Sequence, residues 1–265
     1  MNSHRIEARP TTLVGAQVVT ASSARGFARH THDQFGIGLV DRGAQTSASG
    51  RGQVDVTAGD LITVNPGEVH DGLPVDDRGR SWRMIYIDPV AMDALTGSVG
   101  EFAFPARRDA ALAESFRRLF RSVSDPSCRL AAEAELVMLR VALDDRRVQR
   151  LKPARVSHAI QALQDDPARS LTLAELSDMT GLSRFHFLRS FALATGLTPH
   201  AFRVQARLHL ARRLIMTGQP LAAVAAEAGF ADQSHLTRLF ARSYGMTPGL
   251  FARNFVQDWG RQSRG

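Results

Sequence analysis

The amino-acid sequence predicts an α+β multidomain protein. An N-terminal β-barrel over residues 1–105 leads into a helical region over 106–151. An all-α domain with two helix-turn-helix motifs follows over 152–265. Three observations predict this organisation: short alternating apolar runs cut by turn residues in the N-terminal third, a degenerate tandem repeat near the C-terminus, and a net charge confined to the repeat half.

The barrel strands come first. Phe35–Val40 stops at Asp41-Arg42-Gly43, Gln53–Thr57 at Ala58-Gly59-Asp60, Leu61–Val64 at Asn65-Pro66-Gly67, and Trp82–Ile87 at Asp88-Pro89. Turn signals recurring every ~8–12 residues read as a sandwich or barrel. An earlier strand is placed over Val14–Thr20. Trp82, Met84 and Tyr86 alternate onto one strand face, because successive side chains point to opposite sides of a sheet. That face is the barrel interior, which makes the three residues core filler or pocket wall. Glu68 and Asp71 flank His70 on a turn and are expected to be solvated.

Residues 108–150 carry two helical stripes. Leu112, Phe116, Leu119 and Val123 form the first, ended by Asp125-Pro126. Leu130, Ala134, Val137 and Val141 form the second at near-heptad spacing. Such stripes either cap the barrel or carry homodimer contacts. Arg150-Leu151-Lys152-Pro153 reads as the boundary to the next domain.

The repeat is the strongest signal. Leu173–Phe202 reads LAELSDMTGLSRFHFLRSFALATGLTPHAF, and Leu221–Phe251 reads LAAVAAEAGFADQSHLTRLFARSYGMTPGLF. Gly181, His186, Arg189, Phe191, Gly196, Pro199 and Phe202 recur as Gly229, His235, Arg238, Phe240, Gly245, Pro248 and Phe251. One supersecondary unit used twice accounts for this. In each copy an apolar-periodic stretch breaks at a glycine suited to a left-handed turn, then resumes behind a capping residue, Ser183 or Asp232. Leu173, Leu176 and Met179 share the first face, and Leu221, Val224 and Ala228 share its counterpart. The pairs Phe187/Phe191 and Leu236/Phe240 mark the buried side of each second helix. Helix, tight turn, helix is the plan whose second helix enters a DNA major groove.

Charge agrees. Residues 152–265 carry 14 Lys/Arg against 7 Asp/Glu, the whole formal +7, while residues 1–151 carry 19 of each. A basic domain beside a neutral one is the footprint of a phosphate-binding module attached to something else. The single cysteine, Cys128, excludes an internal disulfide, fits a reducing cytosol and reads as a buried small side chain. MNSHRIEARPTT lacks the apolar segment of a signal peptide, and no run approaches the ~20 apolar residues of a membrane span. A cytoplasmic protein without a membrane partner is expected.

The repeat half resembles the two-headed DNA-binding domain of the AraC/XylS regulators over residues 153–256. Gly229–Pro248, GFADQSHLTRLFARSYGMTP, is similar to that family's signature segment, and Gly181–Phe191 with Gly196–Pro199 fits the first head. The resemblance implies seven helices and a connecting helix over about Pro199–Met216 that holds two recognition helices, about Ser183–Ala192 and Gln233–Arg242. Heads held this way would enter successive major grooves about 34–36 Å apart. Burying the paired apolar residues turns Arg184, Phe185, Leu188 and Arg189 outward on one helix, and Gln233, Ser234, Thr237 and Arg238 on the other. These eight are the expected DNA-binding residues. Arg189 and Arg238 match the family's DNA-facing arginines, able to take guanine or clamp phosphate. His186 and His235 are expected half-buried behind that face. Arg203, Arg207, Arg212 and Arg213 on the connector are expected to be solvated.

The N-terminal part resembles the cupin-type effector domain common in this family, over about residues 10–95. Metal-binding cupins join an H-x-H pair, a glutamate and a later histidine. Here His30-Thr31-His32 and His70 occur in order, but the glutamate is missing: Asp33-Gln34-Phe35-Gly36-Ile37 follows His32. No metal and no cofactor are therefore expected. His30, His32 and His70, with Trp82 and Tyr86, are expected to line a small-molecule effector site. The sequence offers no paired carboxylates and no nucleophile–base set, so an enzyme is not expected. The reading is an effector-responsive transcription regulator, by family habit an activator. Its expected partners are operator DNA, a small-molecule effector, a second copy of the chain and, for an activator, RNA polymerase. Two alternatives stand beside it: a metal-dependent cupin enzyme fused to a DNA-binding domain, and an effector-independent regulator whose barrel only dimerises.

Overall fold

Phe35, Ile37 and Leu39 alternate with Gly36 and Gly38 along one interior strand, and this alternation gives the main sheet two unlike faces. The computed structural model describes residues 4–97, 100–143 and 156–262, without the side chains of Pro126, Phe185 and 256–262. It divides into two units, Met1–Val148 and Gln149–Gly265.

The strands of the first unit are β1 (Arg5–Pro10), β2 (Ala16–Ser23), β3 (Phe27–His30), β4 (Phe35–Arg42), β5 (Ala44–Ser49), β6 (Gly52–Thr57), β7 (Leu61–Val64), β8 (His70–Pro74), β9 (Arg80–Ile87) and β10 (Ala106–Arg107). They build a six-stranded sheet ordered β1-β2-β9-β4-β7-β10 and a four-stranded sheet ordered β3-β8-β5-β6. Among the described residues, three α-helices accompany them: α1 (Pro89–Thr96), α2 (Ala110–Val123) and α3 (Arg129–Leu143). Phe35, Ile37, Leu39, Ile85 and Ile87 share one core with Leu112, Phe116, Leu119 and Val123 of α2 and with Ala132, Leu136, Leu139 and Leu143 of α3. Full burial of a large apolar side chain contributes about 1.5–3 kcal/mol, so these helices are held to the sheet by its best-buried face. On the opposite face Gly36 pairs with Tyr86 and Gly38 with Met84. A Cβ on Gly38 would lie 2.7 Å from the Arg83 carbonyl oxygen, so glycine is needed for this close approach.

The α2 stripe is buried as its periodicity predicts. On α3 the stripe of Leu130, Ala134, Val137 and Val141 is not the face that packs, and Leu130 and Val141 are 80% and 67% exposed. The helix is apolar on more than one side, so its period admits two faces, and the sheet takes the one carrying Leu136 and Leu139. The strand placed over Val14–Thr20 begins at Ala16, because Gly15 turns the chain at φ 76° and leaves Val14 exposed. Strands β5 (AQTSAS) and β8 (HDGLP) show no alternation and are held by their ladders, β5 between β8 and β6 and β8 between β3 and β5. Cys128 ends a 3-10 turn and is half-buried, not buried, since it lies outside the packed faces of α2 and α3.

The second unit contains, among the described residues, seven helices: α4 (Ser157–Asp165), α5 (Leu173–Asp178), α6 (Arg184–Thr195), α7 (Pro199–Met216), α8 (Leu221–Glu227), α9 (Gln233–Tyr244) and α10 (Pro248–Gln262). The boundary expected at Arg150–Pro153 lies outside the described residues. Both repeats use the same local devices. Ser183 accepts from the His186 backbone N–H and Asp232 from that of His235, each cap contributing about 1 kcal/mol. Gly196 and Gly245 close the two second helices in the left-handed region at φ 73° and 71°. Phe187, Phe191, Leu236 and Phe240 are fully buried. Helix α5 ends one residue earlier than its apolar spacing suggests, at Asp178, and Met179 is 40% exposed.

The connector arginines depart from expectation. Arg207 donates to the Pro167 and Ala168 carbonyls at 2.8 and 3.1 Å, Arg203 donates to that of Leu171, and Arg212 is 2% exposed. Of the four, Arg213 is the exposed one. The loop between α4 and α5 carries carbonyls without ladder partners, and buried carbonyls require donors. Guanidinium groups on the helix beneath supply them.

Candidate functional site

Strand β3 ends at His30 and β8 begins at His70, and the antiparallel ladder pairs the two residues directly. Opposed residues on paired strands present their side chains to one face. His32 joins them from the turn after β3. The ring centroids lie 4.5 Å apart for His30–His70, 5.0 Å for His30–His32 and 5.2 Å for His32–His70. One ring nitrogen from each falls within 4.8 Å of the other two. Tyr86 reaches the same place from β9, its ring 4.7 Å from His32. Gly36 leaves room for it, since a Cβ there would come within 3.0 Å of the tyrosine ring. A buried hydrogen bond from Gln17 to Gln34, at 2.9 Å, joins β2 to the turn that carries His32.

Backbone carbonyls set two of the imidazoles. His30 Nδ1 lies 2.8 Å from the Ala28 carbonyl oxygen and His70 Nδ1 3.1 Å from that of Glu68. A carbonyl can only accept, so both Nδ1 atoms donate. Burial pushes the His70 pKa down to about 4, which keeps its ring neutral at pH 7, and burial likewise raises the Tyr86 hydroxyl well above its ordinary value. Glu68 is not the solvated turn residue expected. It forms a buried ion pair with Arg51 at 2.7 Å and accepts from the Asn65 N–H, while Arg51 also donates to the Thr63 carbonyl. Asp71 likewise accepts from the Ala48 N–H at 2.7 Å. Arg51 and the Asn65 N–H engage both oxygens of Glu68, while Ala48 of β5 engages one oxygen of Asp71.

Trp82 stands apart from the three histidines. It meets Phe27 edge-on at 5.8 Å, with the Arg80 guanidinium 4.8 Å from its ring centre. Arg80 is 3% exposed and donates to Gln45 of β5, to the Gly72 carbonyl of β8, and to the Ser23 and Arg25 carbonyls, so one side chain ties both sheets together. Burial lowers its pKa to about 10, still charged at pH 7. Sequence reasoning missed Arg80, Arg51 and Gly36. The signal for Gly36 was the Phe-Gly-Ile-Gly-Leu alternation, which puts two side-chain-free positions on a strand's inner face. For the arginines there was none, because their partners lie far away in the chain.

In the second unit, Arg184, Leu188 and Arg189 are exposed on α6, with Arg189 on the side opposite Phe187 and Phe191. Phe185 lies on the same helix, and its side chain is outside the described residues. On α9, Gln233, Ser234 and Arg238 are exposed and Thr237 is half-buried. Helix α6, capped by the uncharged Ser183, has no acidic residue in its first turn, which leaves the positive end of its dipole favourable to phosphate, whereas the Asp232 carboxylate at the N-cap of α9 offsets that end. His235 is half-buried and edge-on to Phe230 at 5.6 Å, as expected. His186 differs: it is exposed, its Nδ1 2.9 Å from the Ser183 hydroxyl, because the N-cap lies on the solvent side.

Residues 18–139 match the family model for the AraC-like ligand binding domain, and residues 176–254 match the helix-turn-helix domain model. The chain belongs to the AraC/XylS family of transcription regulators. It is a DNA-binding regulator with a ligand-binding domain. This AraC-type chain is 29% identical to the HTH-type transcriptional regulator YbfI of Bacillus subtilis over 223 residues, covering 79% of this chain and 81% of YbfI. It is 22% identical to the HTH-type transcriptional activator RhaS of Escherichia fergusonii over 263 residues, covering 92% and 94% of the two chains. Among solved structures it is similar to unsaturated fatty acid-bound ToxT from Vibrio cholerae, with a TM-score of 0.57 at 12% identity over 97% of this chain and 99% of that one. That likeness establishes a shared fold. Among the described residues, no helix of this AraC-family chain is long and apolar enough to cross a membrane.

Proposed function

We propose that this chain is a sequence-specific, effector-responsive regulator, by family habit an activator, whose two recognition helices α6 and α9 read successive major-groove segments of an operator. Arg184, Phe185, Leu188 and Arg189 form one reading surface, and Gln233, Ser234, Thr237 and Arg238 the other. The observation that carries this is the matched pair Arg189 and Arg238: equivalent positions of two capped helices, each exposed opposite a fully buried aromatic or leucine pair. Joining two heads raises the effective concentration of the second once the first has bound. His30, His32, His70 and Tyr86, with Trp82 farther along β9, form the effector site, whose occupancy changes how the heads engage DNA.

The chain acts as a homodimer in this reading. Leu130, Met138 and Val141 of α3 support it, 80%, 68% and 67% exposed on a face that the barrel leaves uncovered. As an activator it would also contact RNA polymerase. The same stripe favours the second reading, a barrel that only dimerises.

The deciding experiment is binding to the DNA upstream of the chain's own gene, across a salt series and against unrelated competitor. Binding that resists competitor and protects two adjacent major-groove segments supports the two-headed reader. Binding shared equally by unrelated DNA, with the same salt slope, leaves only a basic surface and defeats it.

A further inference from the structure

We propose that the two heads read DNA by different chemistry. Helix α6 selects its half of the operator through apolar contact with thymine methyl groups, with Leu188 as the principal reader, while α9 selects its half through hydrogen bonds. This rests on the reading of α6 and α9 as operator-binding helices and adds the kind of base that the first head prefers.

The repeat allows a comparison position by position. Arg189 corresponds to Arg238 and Ala192 to Ala241. Around them the residue types part: where α9 has Gln233, Ser234, Thr237 and Arg242, α6 has Arg184, Phe185, Leu188 and Leu193. The framework is the same in both, since each helix follows a capping residue, buries an i, i+4 apolar pair and ends at a left-handed glycine. Among the described side chains, the divergence lies in what each helix offers outward.

Outward, α6 is apolar. Leu188 is 38% exposed and Leu193 78%, and Ala192 between them is exposed as well. Residues four apart lie about 40° apart around a helix, so Leu193 shares the outward stripe of Arg189, and Ala192 joins that stripe to Leu188. Helix α9 differs: Gln233, Ser234, Arg238 and Arg242 are exposed, Leu236 is buried and Leu239 half-buried.

Charge identifies what meets this apolar surface. Arg184 and Arg189 are both exposed and bracket Leu188 in the chain. The uncharged Ser183 cap leaves the positive end of the α6 dipole available to phosphate. A cationic rim around an apolar centre suits a major groove, where phosphates flank base edges whose apolar group is the thymine C5-methyl. Leucine has neither donor nor acceptor, so it cannot read the other base edges by hydrogen bonding. Base edges are touched by the N-terminal part of a recognition helix. Leu188 stands there, and Leu193 lies a turn farther on.

The test uses the full-length chain and the DNA upstream of its own gene. Once the two protected segments are located, all thymines of one segment are replaced by deoxyuridine, which removes the methyl and keeps the base pairing. The other segment is substituted separately. The expected result is one-sided: deoxyuridine in one segment weakens binding about fourfold for each methyl contacted, and in the other leaves affinity unchanged. The penalty should disappear in Leu188→Ala, because the side chain that met the methyl is gone, and persist in Thr237→Ala. Circular dichroism checks that Leu188→Ala folds, and Leu188→Asn, similar in size and polar, replaces it if it does not. Operator binding indifferent to deoxyuridine in both segments, or a penalty that survives the loss of Leu188, overturns the proposal and leaves the apolar surface to a protein partner. Equal penalties in the two segments overturn the division between heads. A chain that never prefers the operator to unrelated DNA defeats the two-headed reader itself, a failure seen before any deoxyuridine is introduced.

Discussion

Gly181 and Gly229 occupy the same turn of the two repeats, at φ +65° and +77°, yet only Gly229 is also hemmed in: a Cβ there would lie 2.8 Å from Ala168 Cα, while one on Gly181 would meet nothing within 4 Å. Both positions are left-handed, which costs a side-chain-bearing residue roughly 1–2 kcal/mol. At Gly229 a backbone clash adds to that cost. Gly181→Ala is expected to destabilise the repeat unit by about 1 kcal/mol and Gly229→Ala by more than ~2 kcal/mol. Urea unfolding of the two variants checks this, and equal midpoints would remove the steric argument.

Arg80 is expected to be the costliest single side chain in the barrel. Its guanidinium serves Gln45 and the carbonyls of Ser23, Arg25 and Gly72. Each buried acceptor left unmet costs ~1–3 kcal/mol. Arg80→Ala should therefore lose about 3 kcal/mol or more, and Arg80→Lys should recover little, because a point charge cannot reproduce the planar fork. Thermal unfolding of the two variants and wild type reads this. A lysine variant as stable as wild type would refute it.

Asp60 introduces an acid-sensitive contribution. Hydrogen bonds from Arg108, then from the Thr57 N–H and hydroxyl, hold its carboxyl below the usual carboxylate range. A depressed folded-state pKa means the stabilisation is complete above the unfolded value of about 3.9 and disappears as pH falls through the lower, folded value. Arg108 is largely exposed, so solvent screening keeps the gain small. The stability gap between wild type and Asp60→Asn should be present at pH 7 and close below pH ~4. A gap that persists unchanged at pH 3 would contradict it.

Arg189→Ala and Arg238→Ala each should weaken operator binding by about 1–3 kcal/mol and relax preference at one base pair if the arginine reads a base. If it clamps phosphate, affinity should fall uniformly across sequences and the salt slope should drop by about one. Both side chains are exposed, so thermal stability should not change. Unaltered affinity at both positions would remove them from the DNA-reading surface.

The repeat unit was legible in the sequence almost to the residue. The connector spans Pro199–Met216 as expected, and both recognition helices begin behind the capping residues Ser183 and Asp232. Caps, glycine turns and apolar pairs at i, i+4 act within a few residues, so one stretch of chain contains both the cause and its effect. The order of His30, His32 and His70 was equally visible, as was the alternation that turns Tyr86 inward.

What needed the tertiary structure was everything whose partner lies far along the chain. No local pattern in AQTSAS or HDGLP announces a strand, because β5 is held by its ladders to β6 and β8, and β8 by its ladders to β5 and β3. The face of α3 that packs was undecided, since its apolar residues fit two faces and the sheet selected one. Arg203 and Arg207 of the connector were expected in solvent, but loop carbonyls of Leu171, Pro167 and Ala168 engaged them. The sequence by itself determined which residues could cap, turn and alternate, because those preferences are short-ranged. Only the folded chain decided that His30 stands opposite His70, since strand pairing closes a loop between them and no residue in that loop records the register.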